Sequence, residues 1–146
     1  MSTLERAISL AATAHAGQRD KAGAPYILHP LRIMLKMKTV ETQIAAILHD
    51  VVEDCGVTPA MLRSEGFSEE EVDAVMALTK RIVDGKEEPY DEFIRRVAQN
   101  PIARLVKLAD LEDNMDLSRI ANPTEKDHAR ARKYKAAQLV IQEAIG

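Results

Sequence analysis

Apolar residues recur at intervals of three and four along almost the whole chain, the signature of amphipathic helices. Leu4, Ala7, Ile8, Ala11 and Ala12 make the face of a first helix over 3–17, and Gly17 permits a stop there. The stretch GQRDKAGAPYILHP holds two glycines and two prolines and reads as loop, with a short helix following over 30–38. Later starts are marked by capping side chains. Thr58-Pro59, Asn100-Pro101 and Asn122-Pro123 each set a capping residue before a proline at the first helical position, and Ser68 to Glu71 reads as a capping box. Helices are expected over 41–54, 59–65, 69–82, 90–98, 101–116 and 123–144. VDGKEEP (83–89) reads as a turn or exposed loop, and PYIL is the only strand-like scrap. There is no internal repeat, low-complexity tract or linker. The expected fold is all-α, a single compact domain of about eight helices over 1–146.

Composition narrows this picture. Hydrophobic residues make up 46% but aromatics only 3%, so the core must be built from Leu, Ile, Val, Ala and Met. The net charge of −3 argues against bulk attraction to nucleic acid, and an anionic small molecule would need local cations to hold it. One cysteine, Cys55, excludes a disulfide within the chain and suits a reducing, cytoplasmic setting. No run of about 18 apolar residues predicts a membrane span. Glu5 and Arg6 interrupt the short apolar start, so no secretory leader is expected. The sequence fixes no oligomeric state.

Candidate chemistry gathers in two places. AAILHDVVED runs from an apolar segment into His49, Asp50, Glu53 and Asp54; His49 with Glu53 and Asp50 with Asp54 are each four apart on the expected helix, and the two pairs lie side by side as one polar patch at its C-terminal end. In VKLADLEDNM, Lys107, Asp110 and Asn114 are spaced three and four and form one stripe. A further polar residue, His29, stands just before Pro30 at a helix entrance. Imidazole and carboxylate together suit divalent transition metals, and two histidines with two aspartates make a four-ligand set. Such an ion acidifies a water that it binds and draws in phosphate oxygens. Glu53 and Asp54 would then orient that water or take its proton. Lys107 is a candidate phosphate contact, and Arg104 could reach the same mouth. His15 reads as a packed structural histidine, His128 as part of a solvated face, and Cys55 is no nucleophile in so acidic a loop.

GQRDKAGAPYILHP, ILHDVVED and VKLADLEDNM, in this order and at these separations, resemble the HD superfamily of metal-dependent phosphohydrolases, most closely the small stand-alone RelA/SpoT-type hydrolases, over about residues 8–120. The resemblance implies an all-α fold with one manganese ion (Mn2+) held by His29, His49, Asp50 and Asp110. It implies a catalytic pair in Glu53 and Asp54, and a place for Asn114 near the reacting phosphate. The implied reaction removes pyrophosphate from the 3′ position of guanosine tetra- or pentaphosphate; some animal members instead remove the 2′-phosphate of NADPH. Substrate contacts are expected from Arg19, Lys21, Lys107, Ser118 and Tyr134.

Two stretches depart from that pattern. Asp20-Lys21 stand where alarmone hydrolases carry Arg-Lys, and an aspartate cannot stack on guanine as a guanidinium does. Arg19 lies one position early. After Asp110, LED replaces the usual basic residue, leucine and aromatic or histidine, and Asp113 is expected to repel a polyphosphate unless a cation pairs with it. These departures keep open other nucleotides, among them an adenosine alarmone, NADPH or a nucleoside monophosphate. They also keep open a nucleotide-binding sensor module of weak catalytic power.

Overall fold

The computed structural model describes residues 2–146. Its first helix, α1 (Leu4–Ala14), is capped by the Thr3 hydroxyl, which accepts from the Arg6 N–H at 3.1 Å. Its buried face is only Ala7 and Ala11, and that lack of bulk lets it lie close on α3 (Val40–Leu48). A reciprocal capping box between Thr39 and Thr42 starts α3. From Ile44 to Leu48 every residue is buried, so the C-terminal half of α3 is apolar all round and lies inside the molecule. It packs against α1, α2 (Leu28–Lys36), α6 (Glu69–Ala77) and α8 (Pro101–Met115). The short α4 (Val51–Cys55) and α5 (Pro59–Ser64) follow α3, and α7 (Tyr90–Ala98) and the long α9 (Glu125–Ile145) cover α8. The core is aliphatic as composition required, with Phe67 and Phe93 its only buried aromatic side chains besides histidine among the described residues.

Nine helices are present among the described residues because the expected 41–54 helix is divided. His49 and Asp50 form a turn between α3 and α4. The apolar pattern runs through the break and so did not reveal it. The Asn100 and Thr58 caps and the Ser68 box stand where expected. The last helix does not start at Asn122-Pro123: Thr124 caps it, in a box with Asp127. PYIL is not a strand; it leads into α2. The short strands are β1 (Ile82–Val83) and β2 (Lys86–Glu87), a hairpin within the segment read as loop and at the end expected of α6. Its two-residue turn is Asp84-Gly85, both at positive φ (53° and 76°), the geometry for which Asp-Gly is suited. Arg96 anchors this region from α7. Its guanidinium donates to the carbonyls of Met76, Ala77 and Thr79 and pairs with Glu88.

Candidate metal centre and active site

Three elements meet at one point. The first turn of α2 brings His29, the end of α3 brings His49, and the middle of α8 brings Asp110. All three are buried, and one ligand atom from each lies within 4.8 Å of the others. His29 Nε2 is 2.8 Å from Asp110 Oδ1, and His49 Nε2 is 3.4 Å from the same oxygen. Asp50 Oδ2 stands 3.1 Å from His49 Nε2 and also accepts from the Tyr26 hydroxyl.

The second nitrogen of each ring decides what the first can do. His49 Nδ1 donates to the Ala46 carbonyl at 2.6 Å, so in the neutral ring the Nε2 lone pair faces the centre. That Nε2 is buried and finds no well-directed hydrogen-bond partner among the described residues, although carboxylate oxygens flank it. An orphaned acceptor nitrogen between carboxylates fits a cation. Burial works against a charged ring at His49, but Asp50 and Asp110 raise its proton affinity well above the usual value. Burial likewise opposes ionised Asp110, yet the Lys107 ammonium and the two imidazoles hold it well below the usual carboxylate range. The centre is therefore an electrostatic sink for positive charge.

Asp113 meets the condition under which the sequence leaves it harmless to a polyphosphate, since it pairs with cations. It is buried, and Oδ2 sits 2.6 Å from His29 Nδ1. Arg32 grips it with two bonds, Nε to Oδ1 at 2.8 Å and Nη2 to Oδ2 at 2.9 Å, and Arg119 Nη2 lies 3.3 Å from Oδ1. Arg32, Arg119 and Tyr26 are members of the site that the sequence reading did not single out.

Beside the triad opens a cavity of about 200 Å³, whose lining includes Glu53, Asp54, Lys107, Asn114, Tyr90 and Tyr134. Pockets that enclose a whole ligand run to about 300–1,000 Å³, so this one has room for only part of such a molecule. Glu53 accepts from the Lys80 main-chain N–H at 3.2 Å and is otherwise open. Burial, together with the nearby Asp50 and Asp54 charges, pushes Glu53 above the usual range despite that bond, and burial with Asp50 does the same to Asp54. The Lys107, Asp110, Asn114 stripe is intact: Lys107 Nζ is 2.8 Å from Asp110 Oδ2, and Asn114 Nδ2 donates to Oδ1 at 3.2 Å. The break after α3 does not scatter this cluster: His49, Asp50, Glu53 and Asp54 all line the cavity, with His49 buried and Glu53 exposed.

The other expected contacts are scattered. Lys21 lies 3.6 Å from Asp127 and lines an adjoining hollow of about 130 Å³ with Arg32, Asp113, Asn114 and Arg119. Arg19 donates to the Gly23 carbonyl at 2.9 Å and is folded onto its own loop. Asp20 builds that loop, accepting from the N–H groups of Ala22 and Ala24. Ser118 is exposed and bonded to Asp116. Arg104 is only partly buried and lines neither hollow. His15 is buried against Tyr26 and bonded to Gln18, as a structural histidine should be, and His128 is exposed. No helix among the described residues is long and apolar enough to cross a membrane.

An all-helical fold with histidines and aspartates converging from separate helices defines the class of HD-type hydrolases. The family model described as "HD domain" matches residues 7–136, and the chain belongs to that family. Among curated proteins it is 36% identical over 120 residues to a guanosine-3′,5′-bis(diphosphate) 3′-pyrophosphohydrolase of Aquifex aeolicus, covering 77% of this chain. It is 38% identical over 133 residues to the protein of that name in Vibrio cholerae, covering 84% of this chain, and 40% identical over 125 residues to the bifunctional (p)ppGpp synthase/hydrolase SpoT of Escherichia coli, covering 77%. The chain spans only 17%, 19% and 17% of those three relatives. A solved structure described as a metazoan ortholog of SpoT that hydrolyses ppGpp superposes with a TM-score of 0.72 at 23% identity, covering 97% of this chain and 84% of that one, a likeness of fold.

Proposed function

We propose that this hydrolase is a manganese-dependent enzyme that removes the 3′-pyrophosphate of guanosine 3′,5′-bis(diphosphate), with His29, His49, Asp50 and Asp110 holding the ion. The observation that carries the reading is the buried, unpartnered Nε2 of His49, between the Asp50 and Asp110 carboxylates and next to the cavity that holds Glu53 and Asp54. A divalent ion bound there would polarise phosphoryl oxygens and acidify water. Glu53, with its raised proton affinity, takes the proton of the attacking water. The bond from phosphorus to the ribose 3′ oxygen breaks, and that oxygen leaves with a proton. Asp54 shares the proton handling, Asn114 donates to the reacting group, and Lys107 balances charge behind it. Lys21 and Tyr134 meet the remainder of the nucleotide. Relatives bearing this activity in their names support the substrate.

A second reading concerns the base. Arg19 is engaged with its own loop and Asp20 is a loop builder, which favours a nucleotide whose base needs no guanidinium partner, such as an adenosine alarmone, NADPH or a nucleoside monophosphate. The sensor reading loses one of its motives, since Asp113 faces His29 rather than the cavity. Incubation with Mn2+ and each nucleotide, followed by separation of products, tests all three. Pyrophosphate marks an alarmone, expected from the guanosine compound and, on the second reading, from its adenosine counterpart; single phosphate marks NADPH or a nucleoside monophosphate, and binding without turnover marks the sensor.

A further inference from the structure

His29 meets a carboxylate at both ring nitrogens: Asp110 Oδ1 at 2.8 Å from Nε2, and Asp113 Oδ2 at 2.6 Å from Nδ1. A neutral imidazole has one N–H and one lone pair, so these two carboxylates compete for its proton. Held by Asp110, the proton would occupy Nε2, the atom that faces the centre, and the ring could not coordinate. Held by Asp113, it leaves that lone pair free. We infer that Asp113 is a positioning residue for metal binding: clamped by Arg32 and Arg119, it keeps the His29 proton on Nδ1 and fixes the ring toward the cation. This rests on the metal reading of the triad.

The clamp gives the side chain its means. Asp113 is only 5% exposed, and a lone buried carboxylate would be costly to leave ionised. Here it is not alone: His29, Arg32 and Arg119 all lie within bonding or ion-pair reach of its two oxygens. The two bonds from Arg32 also fix the plane of the carboxylate, so Oδ2 stays on the His29 side. The two histidines thus solve one problem differently. His49 is oriented by a main-chain carbonyl, which no substitution removes, whereas His29 is oriented by a side chain. The aspartate that breaks the family pattern is, in this chain, part of the site's support.

The test is metal affinity of the purified chain, read by calorimetry with Mn2+ and by Co2+ absorption. Loss of a carboxylate that orients a ligating histidine weakens binding about 10- to 100-fold. Asp113→Ala is expected in that range. Asp113→Asn keeps an oxygen acceptor and is expected to fall between, about threefold to tenfold weaker. Glu112→Gln removes a neighbouring, exposed charge and should match the parent. Turnover at saturating metal should change much less than affinity, a split that damage to the fold would not give. In the metal-free parent at alkaline pH, nitrogen NMR of the His29 ring should find the proton on Nδ1, and in Asp113→Ala on Nε2. Parent-like affinity in Asp113→Ala, or in Asp113→Asn should the alanine variant not fold, overturns the inference while the metal reading stands. An Nε2 proton in the parent overturns it too. A parent that binds neither ion ends the metal reading, and the inference with it.

Discussion

The two walls of the site are built on opposite principles. The inner wall is His29, Asp50, Asp110 and Asp113, buried or nearly so, backed by Lys107 and the partly exposed Arg32, and every charge in it has a partner within hydrogen-bond reach. Asp110 and Asp113 are held ionised there. The outer wall, Glu53 and Asp54, is half open, lacks a cation bonded to either carboxylate among the described residues, and has its proton affinities pushed up. Pairing makes the inner wall a rigid cage; the lack of pairing leaves the outer wall free to exchange protons. The turn between α3 and α4 joins the two, since Asp50 within it stands 3.1 Å from His49 Nε2 while Glu53, three residues on, lies in the outer wall.

The comparison breaks most visibly if the cage is opened. Asp110→Ala should lose metal binding, and turnover with it by about 10³-fold or more, since ion stabilisation of phosphoryl charge is worth several kcal/mol. Calorimetry beside product analysis checks this, and normal turnover without bound metal would contradict the cage. Glu53→Gln should keep metal affinity within about twofold but lower kcat about 10²- to 10⁴-fold, the range for a missing general base. Because the Glu53 proton affinity is raised, the acid limb of the parent's kcat profile should lie above pH 4.5, the usual glutamate value. That limb should vanish in Glu53→Gln. Lys107→Met leaves Asp110 buried without its ammonium and should cost about 3 kcal/mol of stability in metal-free protein; added Mn2+ should recover part of this in thermal unfolding.

The smallest effect lies in the scaffold of the outer wall. Arg96 holds the chain from Met76 to Thr79 and pairs with Glu88, and so positions Lys80, whose N–H meets Glu53. The hydrogen bond from Arg96 lowers the Glu88 proton affinity in the folded state. A depressed carboxylate stabilises the fold above its unfolded value and loses that contribution as pH falls through the folded one. Glu88→Gln should therefore cost about 1 kcal/mol near neutral pH, and the difference from the parent should fade below pH 4.5. Denaturant unfolding at several pH values measures it.

Much of the scaffold was legible because its helices announce their own starts. Thr58, Ser68 and Asn100 carry oxygen acceptors just where orphan N–H groups need them. At Asn122-Pro123 the same logic misled, because Thr124 with Asp127 offers a reciprocal box two residues later. The break at His49-Asp50 was hidden since Ile47, Leu48, Val51 and Val52 keep the apolar spacing across it. The Lys107, Asp110, Asn114 stripe needed only helical spacing, and so it was readable. Arg32 was not, because an arginine in an amphipathic helix looks solvent-facing. A signal existed: Arg32 follows His29 by three, as Asp113 follows Asp110 by three, so two helices that bring their ligands together must also align an opposite-charge pair. Tyr26 was obscured by being read as strand-like.

The close of α3 carries one more implication. Both the main-chain N–H and the ring Nδ1 of His49 donate to the Ala46 carbonyl, so one residue ends the helix and presents the nitrogen proposed to coordinate. Architecture and chemistry are inherited together at that position. A replacement that could still coordinate, such as a cysteine, would have to redirect the backbone as well. Drift can reshape the substrate mouth far more freely than it can relocate this corner.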